Sequence, residues 1–252
     1  MTDKETHLSY SQINCYMTCP LRYNFQYVEQ IPPAFTSAPL AFGSAMHEAV
    51  AAFYQSHLEG DIFSLEQMLD VYRDVWQQKE QIKFFNGDDE ISMLIKAEQL
   101  LGVFYDSFEP STRVLGVEEF FEFSINGLPP FQGYIDLIEQ SLTGDISIVD
   151  LKTASKKLTN ANVQNNLQLT AYSLGAGALG FEPEDLKLRL DVLVKTTKPD
   201  LVKYETTRTG EDRRRFVQTV EQVWKGIESG VWFPRIDWHC QQCAFIKPCA
   251  EW

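Results

Sequence analysis

Two short apolar segments that end in charged residues constrain the fold of this chain more than any other feature. Residues 133–138 and 146–152 each have the length of a strand, and a turn-like Ser-Leu-Thr-Gly sequence lies between them. The pattern predicts a β-hairpin that sets Asp136 beside Asp150 and Lys152. Two carboxylates can hold a divalent cation, and a neighbouring lysine can orient a water molecule and offset charge on a phosphate. The hairpin therefore predicts a metal site suited to phosphodiester hydrolysis.

The length and composition of the chain suit one domain of ordinary size. It has 252 residues, of which 44% are hydrophobic, so it can bury a sizeable core. It contains no run of about eighteen apolar residues, and residues 1–7 lack the apolar stretch of a secretory signal. We therefore expect a single compact unit that is soluble, cytoplasmic and not bound to a membrane.

The net charge bears on whether the partner is a nucleic acid. A formal charge of −13 argues against a polyanion, because affinity for nucleic acid comes mainly from Lys and Arg. Residues 150–215, however, contain twelve basic and nine acidic residues, which gives +3 there and −16 elsewhere. A locally basic face is compatible with this distribution. Lys156 and Lys157, which follow the second strand, are better candidates for it than the cluster 213–215, which is typical of a solvated helix surface.

Hydrophobic periodicity divides the chain into helical and β-like parts. Ser9 or Ser11 can cap a first short helix, and Pro20 can begin the next. Further helices are predicted over 40–57, most of 64–108, 161–179 and 211–229, and strands over 114–125, 134–140, 146–153, 186–195 and 201–207. This order predicts an α/β fold in which helices flank a mixed central sheet, with the Asp136 and Asp150 strands adjacent at its centre.

The five cysteines indicate a metal or cluster site, because a reducing compartment disfavours disulfides. Three of them lie together near the C-terminus: Cys240, Cys243 and Cys249. Four thiolates suit a tetrahedral zinc site or an iron–sulfur cluster, and Cys19 is the natural fourth ligand. Such a site would tie together the two ends of the chain. Cys15 is the rival for the fourth position, and His239 is a zinc-type alternative.

These motifs resemble the RecB-type branch of the PD-(D/E)XK nucleases, and specifically its iron–sulfur members, the AddB nuclease domain and the CRISPR-associated Cas exonucleases. The resemblance extends from Ser9 to Cys249. The matching motifs are Gly-x-x-x-His at 43–47, Gly-x-Ile-Asp at 133–136, Asp-x-Lys-Thr at 150–153, Gln-x-x-x-Tyr at 168–172, and Cys19 with the three C-terminal cysteines.

The resemblance implies one restriction-endonuclease-like domain over 1–252. Its expected parts are an N-terminal segment with the first cluster cysteine (1–30), a helical insertion (58–112), a catalytic sheet (113–209) and a cluster-binding tail (230–252). It also implies a DNA exonuclease that acts on single-stranded or free ends and carries a structural [4Fe-4S] cluster on Cys19, Cys240, Cys243 and Cys249.

The resemblance further implies roles for individual residues. Mg²⁺ or Mn²⁺ would be held by His47, Asp136, Asp150 and the carbonyl of Leu151. Lys152 would position or activate the attacking water, with Gln168 and Tyr172 placing the lysine and the DNA backbone. Glu118 is either an outer partner of the metal or an ordinary charge at a strand edge.

Other functions fit parts of the same sequence. The acidic excess indicates a protein partner, a homo-oligomer or a narrow basic channel. A DNA-end-binding or adaptor subunit of a recombination or CRISPR-adaptation complex would need little catalysis, and a zinc-bound interaction module would need none. Tyr23, Phe25 and Tyr27 could stack on bases, although each is more typical of a core position.

Overall fold

The computed structural model describes residues 7–252; the first six residues, where no secretory signal was expected, lie outside the described part. The helices are α1 (Tyr10–Thr18), α2 (Pro20–Tyr23), α3 (Ala38–Leu58), α4 (Leu65–Gln77), α5 (Glu90–Asp106), α6 (Asn160–Gln164), α7 (Leu167–Ala178), α8 (Gly210–Glu228) and α9 (Ile246–Ala250). The strands are β1 (Thr36–Ser37), β2 (Ile82–Lys83), β3 (Arg113–Phe123), β4 (Phe131–Gln140), β5 (Ile146–Ala154), β6 (Lys187–Val194) and β7 (Asp200–Thr206). A π-helical turn, Asn24–Val28, extends α2, and a 3₁₀ helix, Trp238–Gln242, precedes α9.

A mixed five-stranded sheet in the order β3-β4-β5-β6-β7 forms the centre of the molecule. β3, β4 and β5 form an antiparallel meander, β5 and β6 are parallel, and β6 and β7 are antiparallel. The connection from β5 to β6 therefore crosses over the sheet and contains α6 and α7. The predicted hairpin is present, with Leu137 opposite Val149. The expected mixed sheet between helices is confirmed.

Helices α3, α4 and α5 cover one face of the sheet. The helix predicted over 40–57 corresponds to α3, and its apolar side chains Phe42, Met46, Val50 and Phe53 are buried. Asp89 caps α5 by accepting a hydrogen bond from the Ser92 N–H. The predicted helical insertion also contains a short strand, β2, which pairs in parallel with β1 just before α3.

Helices α1, α7 and α8 pack on the opposite face. The helix predicted over 161–179 is divided into α6 and α7. The reason is local: the Asn166 side chain accepts a hydrogen bond from Leu169 N–H and begins a new helix. Arg208 supports the break, since its guanidinium donates to the carbonyls of Val163 and Asn166, each at 3.0 Å.

The C-terminal tail packs against the N-terminal part of the chain. Arg235 donates to the carbonyl of Met17 at 3.0 Å, and Ala34 N–H donates to the carbonyl of Ala244 at 3.2 Å. Within residues 7–252, no helix combines the length and apolar character that crossing a bilayer requires.

The basic excess of residues 150–215 is only partly on the surface. Arg189 is buried and paired with two buried carboxylates, Glu139 and Asp191, and Arg208 is buried as well. The three arginines at 213–215 are all paired with glutamates. This corrects the simple charge count: the surface of this segment is less basic than its composition, because several of its cations serve internal contacts.

Candidate active site

Polar side chains from five elements meet at one end of the sheet. They are His47 on α3, Glu118 on β3, Asp136 on β4, Asp150 and Lys152 on β5, and Gln168 and Tyr172 on α7. The pairing of β4 with β5 covers residues 137–140 and 146–149, so the two strands separate beyond Leu137. That separation leaves room for the polar side chains between them.

Asp136 is the centre of this cluster. Its Oδ1 accepts a hydrogen bond from the Tyr172 hydroxyl at 2.7 Å. Its Oδ2 accepts from His47 Nε2 at 2.7 Å and from Leu151 N–H at 2.8 Å. Burial raises the pKa of Asp136, but the hydrogen bond and charge of His47 outweigh burial, so the net pKa is lowered. Asp136 is therefore ionised at neutral pH.

His47 lies between two carboxylates. Its Nδ1 is 3.2 Å from Glu118 Oε1, while its Nε2 faces Asp136. Burial lowers the pKa of His47, yet the hydrogen bond to Asp136 and the two negative charges raise it to about 9. Burial raises the pKa of Glu118 to about 7. With no metal ion bound, the imidazole is protonated and holds the two carboxylates together.

Glu118 reaches this position through an unusual backbone conformation. Its φ is 51°, in the left-handed region that a non-glycine residue enters at a cost of about 1–2 kcal/mol. The strand pairing has a bulge just before it, between Val114 and Gly116. The sequence offered Glu118 either as a partner of the metal or as an edge charge, and the structure places it in contact with His47.

Asp150 and Lys152 form a second pair beside the first. Asp150 is fully buried, and its Oδ1 accepts a hydrogen bond from Lys152 Nζ at 2.9 Å. Its Oδ2 is buried and has no hydrogen-bond partner. Burial raises the pKa of Asp150. Burial lowers the pKa of Lys152, but the carboxylates of Asp150 and Asp136 raise it more, so the lysine stays an ammonium ion.

Gln168 and Tyr172 join the two pairs. The Gln168 side-chain oxygen accepts from Lys152 Nζ at 2.9 Å, and its amide nitrogen donates to the Tyr172 hydroxyl at 3.0 Å. Tyr172 in turn donates to Asp136. The two residues lie one turn apart on α7, so this helix fixes the separation between the lysine and the Asp136 carboxylate.

The donors in this site fit a divalent metal ion. His47, Glu118 and Asp136 bring one ligand atom each within 4.8 Å of one another. Carboxylate oxygens suit Mg²⁺, and an added imidazole suits Mn²⁺ better. The unpartnered Asp150 Oδ2 is a second indication, because a buried carboxylate oxygen is costly unless a hydrogen bond or a cation satisfies it. The structure thus places Glu118 beside the predicted ligands His47 and Asp136, whereas the predicted ligand Asp150 lies outside this group of three. Leu151 contributes its N–H to Asp136.

Three of the predicted cluster cysteines lie where the C-terminal tail meets the N-terminal part of the chain. Cys19, Cys243 and Cys249 pack in one apolar cluster with Phe25 and Phe245. Burial raises the pKa of Cys249, and the neighbouring thiols of Cys19, Cys243 and Cys240 raise it further. Burial also raises the pKa of Cys15 to about 11. Within residues 7–252, no three cysteine sulfurs come within 4.8 Å of one another.

The remaining predicted residues lie away from the catalytic cluster. Tyr23 and Phe25 are buried near the cysteines, and Tyr27 packs on Tyr23. The structure instead exposes an aromatic pair next to the site, Phe120 and Tyr134, which sequence reasoning missed. The available signal was their spacing, because each lies two residues from a site carboxylate on the same strand.

Comparison with known proteins agrees with this geometry. The family model described as the PD-(D/E)XK nuclease superfamily matches residues 7–250. No curated protein matches the chain. The solved structure of a proposed exonuclease from Eubacterium rectale superposes with a TM-score of 0.59 at 13% identity, covering 98% of this chain and 88% of that one. The structure of SSO0001 has a TM-score of 0.41 at 15% identity, covering 90% and 91%.

Proposed function

The chain belongs to the PD-(D/E)XK nuclease superfamily, and from this premise we propose that it is a metal-dependent deoxyribonuclease that degrades single-stranded DNA from free ends. We further propose that it carries a structural [4Fe-4S] cluster and works in the cytoplasm. DNA is the expected substrate of the family, whereas strand preference, exonuclease action and the cluster are specific to this proposal.

One observation carries the proposal: a continuous hydrogen-bonded chain connects Lys152 to His47. It runs from Lys152 through Gln168 and Tyr172 to Asp136 and His47, and each link is between 2.7 and 3.0 Å. A network of this length in which every link is satisfied holds its members in one geometry. Hydrolysis needs such preorganisation, because the reacting groups must be held in place before charge develops.

Lys152 is suited to positioning and charge stabilisation. Two of the three ammonium protons are used, by Asp150 and Gln168, which leaves one to donate to a water molecule or a phosphate oxygen. Because its pKa is raised, Lys152 keeps its proton at neutral pH and does not itself remove a proton from water.

The divalent metal ion would be held by His47, Asp136, Asp150 and the Leu151 carbonyl, with Glu118 close to His47. When bound, it would act as a Lewis acid toward the phosphate and lower the pKa of a bound water. His47 must give up a proton to become a ligand, since an imidazolium has no free lone pair. Asp136 is already ionised, and Tyr172 and Leu151 N–H hold its carboxylate in a fixed orientation.

Spacing of the cysteines supports a cluster over a single zinc ion. Four thiolates bound tetrahedrally to zinc at about 2.3 Å lie about 3.8 Å from one another. The cysteine sulfurs here are spread more widely than that. Cys19 packs in the same apolar cluster as Cys243 and Cys249, and Cys15 is not part of that cluster, which favours Cys19 over Cys15 as the fourth ligand.

Nuclease activity on end-labelled single-stranded DNA tests the proposed function. Protein purified without oxygen is incubated with Mn²⁺ or Mg²⁺, beside an EDTA control and the Lys152→Ala variant. The matched control is Lys187→Ala, which removes an exposed lysine that pairs with Asp145 on the hairpin. Metal-dependent cleavage that only the Lys152 change abolishes is the expected result. Intact DNA binding without cleavage would instead support the adaptor function.

Absorbance spectroscopy tests the cluster separately. Anaerobically purified protein should be brown with broad visible absorbance, and Cys19→Ser should lose it while Cys15→Ser keeps it. Stoichiometric zinc in a colourless protein would contradict the cluster.

A further inference from the structure

We propose that Phe120 and Tyr134 form a base-stacking subsite for the DNA strand. An unstacked base next to the reacting phosphate would lie on these rings, and the enzyme would thereby prefer single strands. The inference rests on the proposed nuclease function. It adds a binding site for a nucleobase and a physical reason for preferring single strands.

The two rings face solvent as a pair. They lie directly opposite each other on β3 and β4, and their centroids are 5.4 Å apart with an interplanar angle of 60°. Phe120 is 46% exposed and Tyr134 is 56% exposed. Aromatic side chains bury a large apolar area when they are covered, so an exposed pair of rings has a favourable surface to offer a ligand.

The strand geometry sets the pair next to the catalytic carboxylates. Tyr134 and Asp136 are two residues apart on β4, and Phe120 and Glu118 are two residues apart on the neighbouring β3. Two residues along a strand correspond to roughly 7 Å. A base lying on Tyr134 therefore belongs to a nucleotide at or adjacent to the phosphate that the Asp136 cluster would contact.

A cavity joins the rings to the active site. It has a volume of about 400 Å³, and its walls include Phe120, Tyr134, Tyr10, Gln168 and Tyr172. This volume lies within the range of small-ligand sites. Gln168 and Tyr172 are the residues that connect Lys152 to Asp136, so the cavity opens directly onto the catalytic network.

The chemistry of these walls favours a nucleobase. Every base has a π face, and stacking on an aromatic side chain contributes about 1–3 kcal/mol per base without demanding a particular sequence. In a duplex the base faces are already covered by neighbouring base pairs. The subsite therefore favours strands whose bases are free, and it would accept all four bases.

A cycle that removes the base and the rings in turn tests this subsite. The probes are an oligodeoxythymidine and the same strand with abasic residues, and affinity is measured by fluorescence anisotropy. Binding is measured in the Lys152→Ala background so that the strand is not cut. Removing the bases should weaken binding to the intact subsite by about 5- to 150-fold. In the double variant Phe120→Leu/Tyr134→Leu, removing the bases should change the binding affinity only slightly.

Two further variants separate stacking from folding. Tyr134→Phe keeps the ring and should keep the dependence on the base. Phe233→Leu is the matched control, because Phe233 is exposed to a similar extent, 47%, and does not line the cavity. If removing the bases weakens DNA binding equally in the protein with the two rings and in the variant without them, the subsite is refuted.

The outcomes for the subsite and for the proposed function are distinguishable. If the protein cleaves DNA in a metal-dependent way, but neither affinity nor KM changes when the bases and the rings are removed, the subsite is refuted and the nuclease function stands. Base-dependent binding that needs the rings, in a protein that cuts no DNA, would support the subsite and refute the nuclease.

Discussion

Gly175→Ala should move the helix that carries Gln168 and Tyr172. A Cβ at position 175 would lie 2.5 Å from Cδ2 of Phe121, about 1 Å inside normal carbon–carbon contact. The ring cannot retreat, because its other end lies against Gly133, where a Cβ would be 2.6 Å from Cζ. Phe121 is buried, so α7 must shift away from the sheet instead.

The expected cost follows from the size of that shift. Overpacking of this kind costs about 1–3 kcal/mol, partly offset by about 1 kcal/mol from the better helix propensity of alanine. A displacement of α7 by about 1 Å would lengthen the 2.7 Å hydrogen bond from Tyr172 to Asp136 beyond useful range. Misplacement on that scale can reduce a catalytic rate by about 10²-fold.

Gly102→Ala is the matched control. Gly102 also lies inside a helix, α5, but a Cβ there meets nothing within 4 Å. This variant should gain up to about 1 kcal/mol and keep full activity. The difference in unfolding free energy between the two variants, measured in urea, isolates the overpacking. Adding Phe121→Leu should partly restore the rate of Gly175→Ala. A Gly175→Ala protein as stable and active as Gly102→Ala would refute the reasoning.

Three further predictions concern buried charges. Arg189→Met leaves two buried carboxylates unpaired and should destabilise the fold by about 3–5 kcal/mol in urea, whereas Lys187→Ala, which breaks an exposed pair, should cost less than about 1 kcal/mol. The pKa of His47 is raised to about 9, so Mn²⁺ must displace a proton from it at lower pH. Mn²⁺ affinity measured by calorimetry should therefore rise about tenfold per pH unit between about 7 and 9, and His47→Asn should flatten this rise. Asp150→Asn should cut activity more than about 100-fold, yet in EDTA at neutral pH its unfolding temperature should not fall, since burial raises the pKa of Asp150 and so favours an uncharged side chain at this position.

Local patterns carry much of the fold and the candidate site. Two short apolar runs and the turn residues between them predicted the hairpin, and the helical spacing of apolar residues predicted α3, because such patterns depend only on neighbouring residues. The motif spacings likewise placed His47, Asp136, Asp150 and Lys152 on elements that the fold brings together. The break between α6 and α7 was missed although its cap, Asn166, is a local signal, and the Arg208 contacts that accompany it come from more than forty residues away.

What the sequence determined by itself was therefore the type of each main element and the residues available for chemistry. Only the tertiary structure decided which of them touch. The Tyr172 contact with Asp136 joins residues 36 positions apart. The left-handed Glu118 follows a bulge in the pairing of β3 with β4, and the register of these two strands brings Phe120 and Tyr134 together. Arg189 likewise appears in the sequence as a basic residue, but the register of β4, β5 and β6 buries it among carboxylates. The physical reason is that these contacts arise from packing between distant segments, which no local periodicity records.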